Sequence, residues 1–321
     1  MPHVTILGSL NYDLVTFTSK VPLGGETILS DSFATHCGGK GANQALAVRR
    51  LSSPDTVEVR MVGRVGKDAF GVELKDGLEN AGVDVSLVEE IEGKSGVAVI
   101  IVERSGENRI LVSAGANGTF VPDDITSNLF MTDKGKLTDY LVLQNELPLP
   151  VIYRAIELGH AKGVNIVYNP SPMDSSVLTS GIIKKISYLI VNETELSQLI
   201  GVEISNEDIQ DHERLIKKIR TLYDKFLFSR TVIVTLGGKG VIAFTNKGES
   251  FYIQAFEAEK VVDTTGAGDS FLGAFVGAVA DGKNVKVAIE RGAAAGAIAV
   301  SREGAADSIP FLEETRELLK K

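Results

Sequence analysis

The sequence predicts an α/β fold: a mostly parallel sheet covered by helices on both faces, with a small separate sheet beside it. Three observations carry this. Short β-branched runs alternate with amphipathic helical patterns along 321 residues. The composition, 44% hydrophobic with 33 glycines, suits a soluble chain with a sizeable core. Two stretches run strand to strand with no helix between them.

Taken in order, the strand runs are "VTILG", "VEVRMVG", "YLVLQ", "VNIVY", "SYLIV" and "TVIVT". Apolar spacing and capping signals predict helices over 42–51, 69–81, 150–163, 207–226, 267–281 and 285–301. One exception to the rhythm spans Leu10 to Thr35 and turns through "VPLGGE"; the other runs from "GVAVIIV" to "NRILVSA" and turns through "RSGE". These read as hairpins of a separate sheet. Residues 1–9, 36–93 and 117–321 then form the core unit, and residues 10–35 and 94–116 a β-lid. "VAVIIV" is apolar at consecutive positions, so both of its faces call for cover. A ligand on one side and a second subunit on the other would supply it, making the lid a homodimer interface; so would complete burial within one monomer.

The formal charge is −9 with the basic residues dispersed, which offers no footprint for nucleic acid. Cys37 is the single cysteine, so no internal disulfide can form, and a reducing, cytosolic setting is expected. "GAFVGAVA" and "GAAAGAIAV" fall short of the roughly 18 apolar residues of a membrane span. The ends of the chain show no signal peptide or recognised address.

Five motifs offer chemistry. "GSLNYD" puts Asn11 and Asp13 at the carboxyl end of the first strand, where open α/β sheets bind ligands, though an Asx turn is the plainer reading. "GGKGANQALA" opens a helix with glycines and a lysine, and neither it nor "TLGGKG" has the Ser or Thr of a phosphate loop after its lysine. There Asn43 offers donors and acceptors to a polar molecule such as a sugar, or the loop is a plain turn. "LQNELPLP" sets Glu146 just past another strand, where a solvated acid is common. "VNETE" repeats strand then polar loop, with Asn192 and Glu195 on one side of a starting helix; magnesium or phosphate contact and a helix cap explain them equally well. In "VVDTTGAGDSFLGAFVGAVA" a strand end leads through Gly-Ala-Gly into a small-residue helix, whose N–H groups and dipole make an anion hole at Gly266, Ala267 and Gly268. Asp269 stands at its edge, as a general base or as a helix cap. The four histidines show no metal-ligand spacing.

In this order, N-x-D, G-G-K-G-A-N, N-x-x-E and D-T-x-G-A-G-D resemble the ribokinase, or PfkB-type, family of carbohydrate kinases over essentially the whole chain. The resemblance implies a three-layer α/β/α domain with a β-lid and a dimer joined through the lids. It implies an ATP-dependent kinase of D-ribose at its 5-hydroxyl, with another sugar or a nucleoside as the alternative. A sugar-binding regulator on the same fold would need neither Asp269 nor the anion hole.

Carried over residue by residue, the resemblance makes Asp269 the catalytic base and Gly266, Ala267 and Gly268 the hole for the transferring phosphate. Asn11, Asp13 and Asn43, with the backbone of Gly39, Lys40, Gly41 and Ala42, would bind the sugar, and Glu146 would hold its far side. Asn192 and Glu195 would serve nucleotide phosphate and Mg2+; Thr235, Leu236, Gly237, Gly238, Lys239 and Gly240 would line the nucleotide cleft. Asp263, Thr265, Ala299, Arg302, Gly304 and Ser308 match a monovalent-cation site, typically K+, several through backbone carbonyls. Ala293 stands where many bacterial relatives have an asparagine near the adenine.

Overall fold

A computed structural model describes residues 1–105, 107–132, 134–226, 231–245 and 248–320. Gly106, in the "RSGE" turn, lies outside the described residues.

The chain enters through β1 (His3–Leu7), every residue of it buried. It then makes β2 (Asn11–Thr18) and β3 (Ser32–Gly38), which pair antiparallel. Next come α1 (Lys40–Arg50), β4 (Glu58–Gly66), α2 (Ala69–Asn80) and β5 (Asp84–Ile91). A second antiparallel pair follows, β6 (Gly96–Glu103) with β7 (Asn108–Ser113). The chain returns through β8 (Tyr140–Leu143), α3 (Leu149–Ala161), β9 (Asn165–Tyr168), the short α4 (Ser176–Thr179) and β10 (Tyr188–Asn192). Then α5 (Glu193–Ile200), α6 (Asn206–Gln210) and α7 (His212–Phe226) lead to β11 (Thr231–Thr235), β12 (Val241–Thr245) and β13 (Ser250–Ile253). Helices α8 (Ala267–Ala280), α9 (Val285–Ala299) and α10 (Leu312–Leu318) close it.

Nine strands form the large sheet in the order β13-β12-β11-β10-β9-β8-β1-β4-β5, parallel except for β12 and β13. The two-residue period of a strand divides their side chains between two cores. Val4 and Ile6 of β1 join Val142, Ile233 and the inward faces of α1, α2, α8 and α9. Leu7 joins Leu141, Leu143, Val232 and Val234 beneath α3, α5 and α7. This is a three-layer α/β/α architecture.

Several elements differ from the sequence reading. The helix expected over 207–226 is two helices, because Asp211 leaves helical geometry and its carboxylate accepts the Arg214 N–H at 3.1 Å, starting a new helix. Strand β5 mixes apolar residues with Asp84, Glu89 and Glu90 at the sheet edge, and β12 and β13 pair antiparallel at the opposite edge. Neither was predicted, nor were α5 as a full helix and α10.

The small sheet has the order β3-β2-β6-β7. Ala98 pairs with Val112 and Ile100 with Ile110, so these four share the face that lines the cavity, with Ile110 and Val112 still exposed; Val99 and its partner Leu111 share the other face and are exposed too. The "VAVIIV" strand is thus not closed on both faces within one chain. No helix among the described residues is long and apolar enough to cross a membrane.

Candidate active site

Strand order reverses its direction of growth at β1, which has β4 on one side and β8 on the other. A crevice opens at the carboxyl ends of strands at such a point. Here it is a cavity of about 350 Å³, floored by the loops after β8, β9 and β10, walled by the starts of α1 and α8, and roofed by the small sheet.

Glu146 joins the two strands at the reversal. Its Oε2 accepts from the Ser9 hydroxyl after β1 and from the Lys40 backbone N–H at 2.9 Å, so the carboxylate ties three loops together. Asn11 and Asp13 come from β2, on the face that looks into the cavity. Asn117 fixes this strand: its Oδ1 accepts the Leu10 N–H at 3.0 Å, and its Nδ2 donates to the Leu10 carbonyl at 2.9 Å and to Asn11 Oδ1 at 2.8 Å. Burial, and then the charge of Glu146, push the Asp13 carboxyl up to about 7, against a smaller pull from His36.

Helix α1 begins at Gly39, which has φ +88° and so favours glycine; a Cβ there would also lie 2.7 Å from the Asn11 nitrogen. Gly39, Lys40 and Asn43 reach the cavity, while Gly41 packs its Cα against Gly8 and Ala42 is buried behind. Desolvation disfavours the Lys40 ammonium, but the carboxylates of Asp269, Glu146 and Glu195 outweigh it and hold its pKa above the ordinary value. Asn43 Oδ1 is buried without a partner among the described residues and is available to a ligand hydroxyl.

At the opposite wall Gly266 takes the left-handed conformation, φ +76°, as the N-cap of α8. Gly266, Gly268 and Asp269 line the cavity with Thr264 and Thr265, and Ala267 does not. The first-turn N–H groups of a helix have no intrahelical partner, so this corner accepts an anion. Asp269 Oδ1 accepts from Gln44 Nε2 at 2.9 Å, and Asn43 Nδ2 lies 3.5 Å from Oδ2. Burial raises the Asp269 carboxyl above the ordinary range, opposed by Lys40 and the Gln44 amide.

Asn192 and Glu195 line the cavity and also cap α5. Asn192 Oδ1 accepts the Glu195 N–H at 2.7 Å, and Glu195 Oε2 accepts the Asn192 N–H at 3.0 Å. The helix-cap reading of this pair is thus observed, and both side chains also face the cavity. Of the "TLGGKG" loop, Thr235 reaches the cavity, Leu236 is buried in the core, and Gly237, Gly238, Lys239 and Gly240 turn beyond it. Ala293 sits on α9, packed against the core, and does not line the cavity.

A second oxygen-rich spot adjoins α8. Asp263 Oδ1 accepts from the Thr265 N–H (2.9 Å) and hydroxyl (2.6 Å), and Oδ2 from the Gly304 N–H at 3.0 Å. Burial works against the Asp263 charge, but these bonds outweigh it and hold the carboxyl below the ordinary range. Ser308 donates to the Ala305 carbonyl at 2.8 Å, the Ala299 carbonyl accepts the Arg302 N–H, and the Arg302 guanidinium pairs with Glu314. Arg302 can thus offer an ion only its carbonyl.

Sequence reasoning passed over Ser9, Gln44, Asn117, Gln144 and Asn169. Asn169 follows β9 as Asn192 follows β10, so the same strand-then-polar signal could have found it.

Residues 1–312 match the model of the pfkB family of carbohydrate kinases. The chain belongs to this family. Ribokinase from Schizosaccharomyces pombe is 43% identical over 98% of this chain and 96% of its own, and deoxyribokinase from Salmonella typhi 35% identical over 98% of each. The structure of Arabidopsis thaliana ribokinase complexed with ribose and ATP superposes with a TM-score of 0.85 at 30% identity, covering 100% of this chain and 99% of that one. The chain is therefore an ATP-dependent carbohydrate kinase.

Proposed function

We propose that the chain is a ribokinase, transferring the γ-phosphoryl group of ATP to the 5-hydroxyl of D-ribose. The observation that carries this is one cavity holding hydroxyl-binding groups (Asp13, Asn43, Glu146) beside a helix N-terminus with a carboxylate at its edge. The 43% identical ribokinase of S. pombe supports ribose as the sugar.

In this reading Asp269 takes the proton of the 5-hydroxyl as that oxygen attacks the γ-phosphorus, and the bond to the β-phosphate oxygen breaks to release ADP. Amides from Gly266 to Gly268 receive the charge on the transferring group, and Lys40, kept cationic by its three carboxylates, adds to the field. The nucleotide lies towards Thr235 and the turn up to Gly240, with Ala293 near the base. Magnesium bound with ATP supplies neutralisation of phosphate charge. Asn192 and Glu195 would hold it: capping commits Glu195 Oε2 and leaves the other carboxylate oxygen to the cavity.

We assign the Asp263 spot to a monovalent cation, K+ by preference. One carboxylate with the carbonyls of Thr265, Ala299, Arg302 and Gly304 and the Ser308 hydroxyl is an all-oxygen set suited to a hard ion of low charge. Such an ion would brace the turn that presents Gly266. The exposed face of the small sheet, Val99 and Leu111 with Phe33 nearby in the sheet, fits a homodimer through the lid; light scattering giving a strict monomer at micromolar concentration would reject it.

The 35% identical deoxyribokinase favours deoxyribose as the second reading. A coupled ADP-release assay with ribose, deoxyribose, fructose and adenosine decides between them. Highest kcat/KM for ribose is expected, and release with none of the four would reject the kinase reading.

A further inference from the structure

We propose that Gln44 and Gln144 form a two-amide relay that positions the base: Gln44 holds Asp269 Oδ1, leaving Oδ2 as the oxygen presented to the substrate hydroxyl. The inference rests on the reading of Asp269 as general base and extends it to two positioning residues.

The relay is built from buried groups only. Gln144 Nε2 donates to Gln44 Oε1 at 2.7 Å, and Gln44 Nε2 donates to Asp269 Oδ1 at 2.9 Å. Gln44 is fully buried and Gln144 nearly so. A side-chain amide has one accepting end and one donating end. With the Gln44 carbonyl occupied by Gln144, its NH2 must face Asp269, and it also comes within 3.4 Å of Asn169 Oδ1. Oδ1 thus meets a donor, so a proton arriving on Asp269 goes to Oδ2 or breaks the bond to Gln44. The Asn43 amide, 3.5 Å from Oδ2, is at the limit of hydrogen-bond length and leaves that oxygen open.

Two further observations separate this from packing. Gln144 Oε1 is buried with no partner among the described residues, a cost that an apolar side chain of similar length would not carry. The end of β1 is also emptied to admit it: a Cβ on Gly8 would stand 2.1 Å from Gln144 Oε1 and 2.7 Å from Gly41 Cα. A polar side chain is accommodated there at the expense of a neighbour's.

The charged groups facing Asp269 are Lys40 from α1 and Glu146 after β8; Glu195 of α5 acts on Lys40, and Asp13 of β2 is coupled to Glu146. Burial raises the carboxyl and Gln44 opposes the rise. Removing the Gln44 N–H therefore moves the acid limb of the rate profile to higher pH.

The test is the pH profile of the single-turnover rate with ribose and ATP for Gln44→Met and Gln144→Met, with ribose binding followed by calorimetry. Gln44→Met should bind ribose like the parent, turn over about ten- to a hundredfold more slowly, and show an acid limb about one pH unit higher. Gln144→Met should move both quantities the same way by less, and the double variant should be no worse than Gln44→Met alone. A Gln44→Met enzyme that binds ribose and keeps its acid limb in place overturns the relay, whatever its rate. If that variant does not fold, an unmoved acid limb in Gln144→Met overturns it. Asp269→Asn, run in parallel, separates the two levels: wild-type turnover there removes the base and the relay together. A dead Asp269→Asn beside a wild-type Gln44→Met removes the relay alone.

Discussion

Gly273 of α8 lies so close to Ala47 of α1 that a Cβ on the glycine would stand 2.3 Å from that of the alanine. Asp269, Gly273 and Gly277 follow one another at spacings of four, so they form one stripe of α8. That stripe meets α1 near Gln44, Ala47 and Leu51. The small residues that look merely apolar in the sequence let two helices approach until the Asn43 and Gln44 amides reach the Asp269 carboxyl.

Gly273→Ala should therefore be destabilising by about 1–3 kcal/mol, since its Cβ also meets Ala47 backbone carbon at 2.6 Å. Gly296→Ala, in α9, meets nothing nearer than the Ala267 carbonyl at 3.5 Å and should be neutral or stabilising by up to about 1 kcal/mol. Urea unfolding of both variants checks the contrast. Equal stabilities would show that the α1–α8 contact is not tight.

Asn117→Leu strips three hydrogen bonds from Leu10 and Asn11 at the start of β2 and takes the side-chain partner from the buried Leu10 N–H and carbonyl. A loss of about 2–6 kcal/mol is expected, at about 1–3 kcal/mol for each group. Because Asn11 loses its anchor, KM for the sugar should rise more than kcat falls. Steady-state kinetics on the folded variant checks this, and an unchanged KM would contradict it.

The Asp13 carboxyl, at about 7, holds a proton in the native state that the unfolded chain releases near pH 4. Its contribution to stability is complete below that unfolded value and is lost as pH rises through 7. Asp13→Asn has no charge to bury. It should match the parent near pH 4 and exceed it at pH 8 by on the order of 4 kcal/mol, while binding sugar more weakly. A stability difference that does not change between the two pH values would contradict the burial of this charge.

Replacing K+ by tetramethylammonium should lower kcat, because that ion is too large for the turn between Asp263 and Gly304. Asp263→Ala should be slow in both salts and lose the difference between them. Assays at constant ionic strength decide, and a parent enzyme indifferent to the cation would reject the site.

The strands buried on both faces were legible because a run such as Leu141 to Leu143 has no polar face to show. Strand β5 escaped because Glu89 and Glu90 look like loop residues until Arg64 and Lys75 are seen beside them. Asp211 hid a helix boundary inside an otherwise periodic stretch. The cavity groups that follow strand ends, Asn11, Glu146 and Asn192, could be singled out because the carboxyl edge of a parallel sheet is a fixed address. The residues that orient them could not. Gln44 meets Asp269 across 225 positions, Gln144 meets Gln44 across 100, and Asn117 meets Leu10 across 107. Such pairings become visible only when α1, α8 and the two sheets are assembled.

The most direct test of the account is the single-turnover rate of Asp269→Asn with ribose and ATP, beside its ribose affinity. The amide keeps the size of the side chain but cannot take the proton. A rate lower by about 10² to 10⁴ with ribose affinity preserved is predicted. A rate within a factor of a few of the parent would contradict the role of Asp269 as base, and with it the chemistry assigned to this cavity.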